Sequence, residues 1–182
     1  MLLGLAKVVM DAPDLDGPAE STELERRAFL LGLAGQENAW GDLWCAGRCE
    51  PAYMRGGYYY TRSKELRELT KKHGDLAAVS WGPTQILPVV AYEVGFRGNP
   101  WELADPADCY FWTVRRINMK ILRMTVKRGG EFVHTERDGM DWSKMYAMWN
   151  GGTGALKSPL PFTVTYVEAQ IKNMTKAMGI LG

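Results

Sequence analysis

Apolar residues that recur at helical spacing, in runs opened by caps and closed by glycines, dominate this chain. They leave little room for a sheet protein. Thr22-x-x-Glu25 is a capping box, in which hydroxyl and carboxylate can each satisfy an amide that a helix start leaves unpaired. Leu24, Ala28, Leu31 and Ala34 follow at helical spacing, which predicts a helix over about 22–35 ending near Gly35. Ser63 opens a polar helix to about Lys72, with His73-Gly74 as its stop. Trp81-Gly82-Pro83 reads as a turn, and Gln85 to Val94 as a helix with Pro88 in or near its first turn. Asp105-Pro106 starts a helix whose stripe is Val114, Ile117, Ile121 and Met124 and whose stop is Gly129-Gly130. A short helix over Asp141–Met148 and a last one over Thr163–Met178 complete the pattern. Residues 11–20 are a loop. Residues 38–62, glycine-rich and aromatic, predict an irregular insertion with a short hairpin.

A chain of 182 residues with no internal repeat and no linker is expected to form one domain over 1–182. At this length roughly 70% of the unfolded surface can be buried, so a core needs no covalent staples. The 22 basic and 21 acidic residues leave a net charge of +1, so no domain-wide basic excess would drive binding to nucleic acid. From Tyr110 to Gly130 there are six basic residues and no acidic one. Arg116, Lys120, Arg123 and Lys127 form either a solvated helix face or a surface that attracts an anionic polymer. No apolar stretch approaches the roughly 20 residues of a spanning helix, so no stable membrane insertion is expected. The apolar start, Met1 to Met10, has no basic n-region and is broken by Lys7. It reads as a segment packed on the domain with no visible signal peptide. Cys45 and Cys49 can be a local disulfide, half a metal site or two thiols, and Cys109 stands alone. Zinc needs about four ligands and the only histidines are His73 and His134, so neither a metal nor another cofactor is expected.

Three segments can carry chemistry. Glu37 falls just past an apolar helix, among small and aromatic residues, in Ala34-Gly-Gln-Glu-Asn-Ala-Trp40. A carboxylate desolvated there would hold its proton near neutral pH and could donate it; a solvated residue at a helix end is the plainer alternative. In Ser80-Trp-Gly-Pro-Thr-Gln-Ile-Leu-Pro88, Gly82 and Pro83 fix a turn, and Thr84 and Gln85 either line a groove or cap a helix. In Ala147-Met-Trp-Asn-Gly-Gly-Thr-Gly154, a helix ends in Asn150 and glycines, where Trp149 can stack on a sugar or the segment can be a plain C-cap. Tyr53, Tyr58, Tyr59 and Tyr60 can stack on sugars or pack a small subdomain.

In this order and spacing, the segments resemble the lysozyme-like lytic transglycosylases, the soluble-lytic-transglycosylase-like domains. The resemblance spans about 22–178. Glu37-Asn38 is similar to the family's catalytic Glu at a helix end. Gly82-Pro-Thr-Gln-Ile86 looks like its Gly-Leu-Met-Gln-Ile segment, with the more polar and stiffer Pro83-Thr84 in place of Leu-Met. Asp105-Pro106 matches its later helix start, and Ala147-Met-Trp-Asn-Gly-Gly152 its Ala-x-x-Tyr-Asn-x-Gly segment, with Trp149 in place of Tyr. Tyr166-Val167 fits its late Tyr.

The resemblance implies a mainly α, lysozyme-like domain of the α+β lysozyme superfamily. It implies cleavage of the β-1,4 bond between N-acetylmuramic acid and N-acetylglucosamine in peptidoglycan. Glu37 would be general acid and then base, giving a 1,6-anhydro product. Gly82, Thr84, Gln85, Trp149, Asn150, Tyr166, Tyr58 and Tyr60 would bind the glycan strand. The alternative is a muramidase, a hydrolase of the same bond, with a second carboxylate among Asp42, Glu50 and Asp75. A wall-glycan binding module without catalysis is a further alternative. The expected setting is the bacterial cell wall, reached as a phage-released endolysin, with a virion, or by another export route, and the expected state is a monomer.

Overall fold

The structure is a computed structural model. It describes residues 2–38, 40, 47–123, 125–128, 131–134, 140–151, 155 and 161–182; of 120–134 and 151 it describes the backbone alone. It is mainly helical: α1 (Leu2–Met10), α2 (Glu23–Asn38), α3 (Tyr58–Arg62), α4 (Lys64–His73), α5 (Pro88–Tyr92), α6 (Pro106–Arg123), α7 (Trp142–Gly151) and α8 (Pro161–Leu181). Short strands β1 (Arg48–Cys49), β2 (Val79–Ser80), β3 (Thr125–Arg128) and β4 (Glu131–His134) are interspersed. Among the described residues, no helix is long and apolar enough to cross a membrane.

The helix starts follow their caps. Thr22 N–H donates to Glu25 Oε2 at 2.7 Å and Glu25 N–H to Thr22 Oγ1 at 3.2 Å, closing the capping box ahead of α2. Ser63 Oγ accepts from Leu66 N–H at the head of α4, and Asp105 Oδ1 from Ala107 N–H and Asp108 N–H at the head of α6.

Helix α2 is the axis of the main core. Residues 27–34 are buried, enclosed by α1, α6, α7 and α8. Phe29 stacks on Tyr146 at 4.3 Å and on Trp142 at 5.2 Å. At Gly32 a Cβ would lie 2.9 Å from Tyr146 Oη and 3.1 Å from the Met174 backbone nitrogen, so glycine lets α2 and α8 approach closely. The apolar start of the chain forms α1 and buries Leu5, Ala6 and Val9 in this core. It is tied down by Arg27, whose guanidinium donates to the carbonyls of Val9 and Ala12.

A smaller lobe is built from residues 48–104. Leu66, Leu69, Ala77 and Val89 form one apolar cluster, and Ile86, Ala91, Phe96, Leu103 and Cys109 another. Trp149 packs against the main core and the second of these clusters.

Four expectations are corrected. Helix α2 runs through Gly35 to Asn38, because Gly35 is where the Trp40 ring lies against the helix. The stretch 51–62 is largely helical, a 3-10 turn over Pro51–Tyr53 followed by α3. Its strand pairs with β2 in antiparallel register, Arg48 with Ser80 and Cys49 with Val79, and makes no local hairpin. Residues 82–85 form a tight hairpin turn between the bridged Trp81 and Ile86, so the helix starts only at Pro88 and stops at Tyr92. Helix α6 ends at Arg123, and a hairpin of β3 and β4 follows. Lys127 is therefore on a strand, where β-branched Thr125 and Val126 favour extended backbone. The side chains of Lys120, Arg123 and Lys127 lie outside what the structure describes. Arg116 is half-buried and pairs with Glu93.

Candidate active site

Between the main core and the smaller lobe lies a cleft of about 480 Å³. Glu37 is at its base, in the last turn of α2. Its side chain is only 12% exposed. Tyr166, from α8, donates its hydroxyl proton to Glu37 Oε1 at 2.6 Å. Tyr166 in turn accepts from Gln170 Nε2 at 2.9 Å. The Trp149 indole also bonds the Glu37 carboxylate.

From the lobe, Arg48 reaches both acids of the cleft. Its Nη2 is 3.9 Å from Glu37 Oε2, and its Nε is 2.8 Å from Glu50 Oε1. The Ser80 hydroxyl lies 2.9 Å from Glu50 Oε1 and from Gln85 Oε1, and gives its one proton to one of them at a time. Burial pushes the Glu37 carboxyl above its ordinary range. The Tyr166 hydrogen bond, the Arg48 charge and the Trp149 bond pull the other way, while the neighbouring Glu50 charge adds to the rise. Two carboxylates thus share one cleft in unlike environments. One is buried and reluctant to ionise; the other is paired with the Arg48 guanidinium.

The turn that carries Gln85 is strained in a useful way. Gly82 has φ 70° and Gln85 φ 51°. A Cβ on Gly82 would strike the Leu103 carbonyl and lie 2.7 Å from Cys109 Sγ. The Gly82 carbonyl accepts from Asn38 Nδ2 at 3.4 Å and Gln85 Nε2 at 2.9 Å, which joins the end of α2 to the turn.

Of the residues singled out in the sequence, the structure brings Glu37, Glu50, Gln85, Trp149 and Asn150 to the cleft wall, with Tyr166 on Glu37. Gly82 takes part through its carbonyl and does not line the cleft.

Thr84 does not reach the cleft. The turn sends it into the core, where its hydroxyl is 2.6 Å from Thr113 Oγ1 and 3.1 Å from Cys109 Sγ. Nor do Tyr58 and Tyr60, because successive residues of a helix face about 100° apart. Tyr58 is exposed under the Arg62 guanidinium, and Tyr60 packs on the Leu66 and Leu69 cluster. Tyr53 and Tyr59 line the cleft instead, their rings stacked at 4.5 Å. Burial pushes the Tyr53 hydroxyl up to about 12, with Tyr59, Glu50 and Glu93 adding to it, so it remains a proton donor. Asp75 is exposed in the 3-10 turn after α4 and is not part of the cleft. Asp42 and Cys45 lie outside the described residues. Cys49 is exposed, with Sγ 3.7 Å from Met54 Sδ, and Cys109 is a buried thiol behind the turn.

Sequence reasoning missed Arg48, Ser63 and Glu93 of the cleft, and placed Arg116 only in a basic stripe. It also missed Gln170, whose one signal is its place four residues after Tyr166, on the same helix face. Set against known protein families, curated proteins and solved structures, the chain finds no match.

Proposed function

We propose that this chain cleaves the β-1,4 bond between N-acetylmuramic acid and N-acetylglucosamine in peptidoglycan, as a lytic transglycosylase on a lysozyme-like scaffold. The observation that carries the reading is Glu37: a buried carboxyl at the base of an open cleft, holding its proton more tightly than a solvated acid. A general acid must be protonated at working pH and within reach of the leaving oxygen, and burial supplies the first condition.

The step balances on one carboxyl. Glu37 gives its proton to the glycosidic oxygen as the bond from C1 to that oxygen breaks, leaving positive charge on the muramic ring. The carboxylate then takes the proton of the C6 hydroxyl on the same ring, whose oxygen closes on C1. The product is the 1,6-anhydro sugar, and no water is consumed. The nucleophile is tethered to the electrophile, which supplies much of the rate advantage. Tyr53, Tyr59 and Trp149 offer aromatic faces and hydroxyls for sugars, and Asn150 and Gln85 offer amides.

Glu50 favours a second reading, the muramidase. It shares the cleft, and one guanidinium contacts both it and Glu37. The transglycosylase is preferred because Arg48 and Ser80 already occupy Glu50 Oε1.

The test is mass spectrometry of fragments released from purified peptidoglycan by the chain and by Glu37→Gln. Products lighter by one water, absent with the variant, are the expected result. Reducing-end products absent with the variant would establish the muramidase. No soluble product from the unsubstituted chain would overturn both and favour a wall-binding module.

A further inference from the structure

Gln170 is fully buried, at 0% exposure, and donates to Tyr166 Oη. Its own Oε1 is buried with no hydrogen-bond partner among the described residues. An orphaned buried carbonyl is destabilising, and an apolar side chain of the same shape would avoid that cost. Packing therefore does not explain an amide at this position, and the direction of its hydrogen bond does. A phenol has one proton to give. With Gln170 N–H pointed at its oxygen, Tyr166 has no reason to accept from Glu37 and every reason to donate to it. Oε1 of Glu37 is then an acceptor in both protonation states. The acidic proton is left to Oε2, the oxygen on the Arg48 side of the cleft.

We propose that Gln170 is a positioning residue that fixes Tyr166 as a permanent donor to Oε1 of Glu37, so that Oε2 alone carries the proton delivered to the substrate. The kinetic side of this inference rests on the glycosidase reading; the protonation side does not. Glu37 is faced by Tyr166 from α8, by Trp149 from α7, and by Arg48 and Glu50 from the lobe; Tyr146, from α7, faces Tyr166.

The experiment is a carbon NMR titration of protein labelled at the glutamate carboxyl, with the Glu37 signal identified by its loss in Glu37→Gln. In Gln170→Met, Tyr166 is free to turn and accept from the protonated acid. That favours the neutral form, so the Glu37 midpoint should rise by about half a pH unit, roughly threefold in proton affinity. Thermal stability should be unchanged or higher, because the orphaned carbonyl is gone. In a Tyr166→Phe background the same substitution should not move the midpoint, and Gln170→Leu serves if Met folds poorly. An unchanged midpoint in a folded variant overturns the proposal, as does a shift that survives Tyr166→Phe. The midpoint is read without substrate. Failure of the unsubstituted chain on peptidoglycan would therefore strike the glycosidase reading alone, and the titration would still decide the role of Gln170. If cleavage is found, the alkaline limb of the pH–rate profile should move up with the midpoint.

Discussion

Replacing Glu37 with Gln should make the protein more resistant to heat at neutral pH and leave it unchanged in acid. Of the effects on the ionised carboxylate, the three largest can be sized. The Tyr166 hydroxyl, at 2.6 Å, stabilises it by about 1.5–3 kcal/mol, as hydrogen bonds to charged groups do. Arg48 is 3.9 Å away with its side chain 57% exposed, so screening holds its contribution to about 1 kcal/mol or less. Against both stands the removal of a charge from water at a side chain only 12% exposed, a penalty of several kcal/mol per ion. Burial wins, and the folded-state pKa lies above the unfolded one. The contribution of Glu37 to stability is therefore fully present below the unfolded value, about 4.3. It is lost as pH rises through the folded value. Each decade of tightened proton binding is worth about 1.4 kcal/mol, or about 3–6 °C in Tm for a chain of this length. Gln is neutral throughout, nearly the same size, and keeps an oxygen for Tyr166. Thermal denaturation of both proteins, followed by circular dichroism from pH 4 to pH 8, should give curves of Tm that coincide in acid and diverge progressively toward pH 8, with the variant on top. Subtracting one curve from the other cancels the other titrating groups, such as His73 and Asp108. A constant difference would mean that Glu37 ionises as a solvated carboxylate, and a variant less stable at pH 8 that the fold favours its anion; the acid role assigned to it would fall with either.

Other substitutions separate the remaining roles. Glu50→Gln should leave anhydro products and lower the rate by less than about tenfold, whereas a muramidase that uses Glu50 to activate water should lose about 10²-fold or more, as expected for general-base catalysis; chromatography of released fragments reads both. Tyr53→Ala and Tyr59→Ala should each raise KM by about 3- to 10-fold with little change in kcat, the worth of one aromatic contact made equally in ground and transition states. Arg27→Leu strands the carbonyls of Val9 and Ala12 and should cost about 3 kcal/mol, a drop of about 6–12 °C in Tm; a loss under about 1 °C would show that α1 docks without that clamp.

Local chemistry made the helix starts legible. Thr22, Ser63 and Asp105 each offer a side-chain oxygen to a free amide, and the helices begin where those residues stand. The ends were harder, because a helix can stop with no breaker in the sequence. Helix α6 stops at Arg123, six residues before the glycines, where the chain turns into a hairpin whose pairing no local residue announces. The helix expected from Gln85 failed because Gly82 and Gln85 adopt positive φ, which closes a turn. The site was legible in part for the same reason. Glu37, Gln85, Trp149 and Asn150 meet at one cleft across more than 100 residues, yet each sits in a recognisable local frame. Thr84 and Gln85 look alike in sequence, but one tight turn sends the first into the core and the second into the cleft. Arg48, Glu93 and Arg116 have no local frame at all. They face the cleft only because the lobe that carries β1 and α5 folds back beside α6.

The two sides of the cleft do different work, and the division explains where the acid sits. The base is a helix whose neighbours are held close, at Gly32 against Tyr146 and Met174, so that packing rather than water backs Glu37. Rigidity there keeps a carboxyl desolvated without unfolding the helix end that carries it. The opposite wall is the smaller lobe, and its Arg48 side chain is more than half exposed. On the proposed glycosidase reading, a guanidinium so placed would leave Glu37 as the glycan enters, and its departure would remove a positive charge that favours ionisation. Binding would then tighten the acid's hold on its proton until the glycosidic oxygen arrives to take it. That is the order of events a general acid requires. The opposite arrangement, a fixed cation against a mobile acid, would discharge the proton before the substrate was in place.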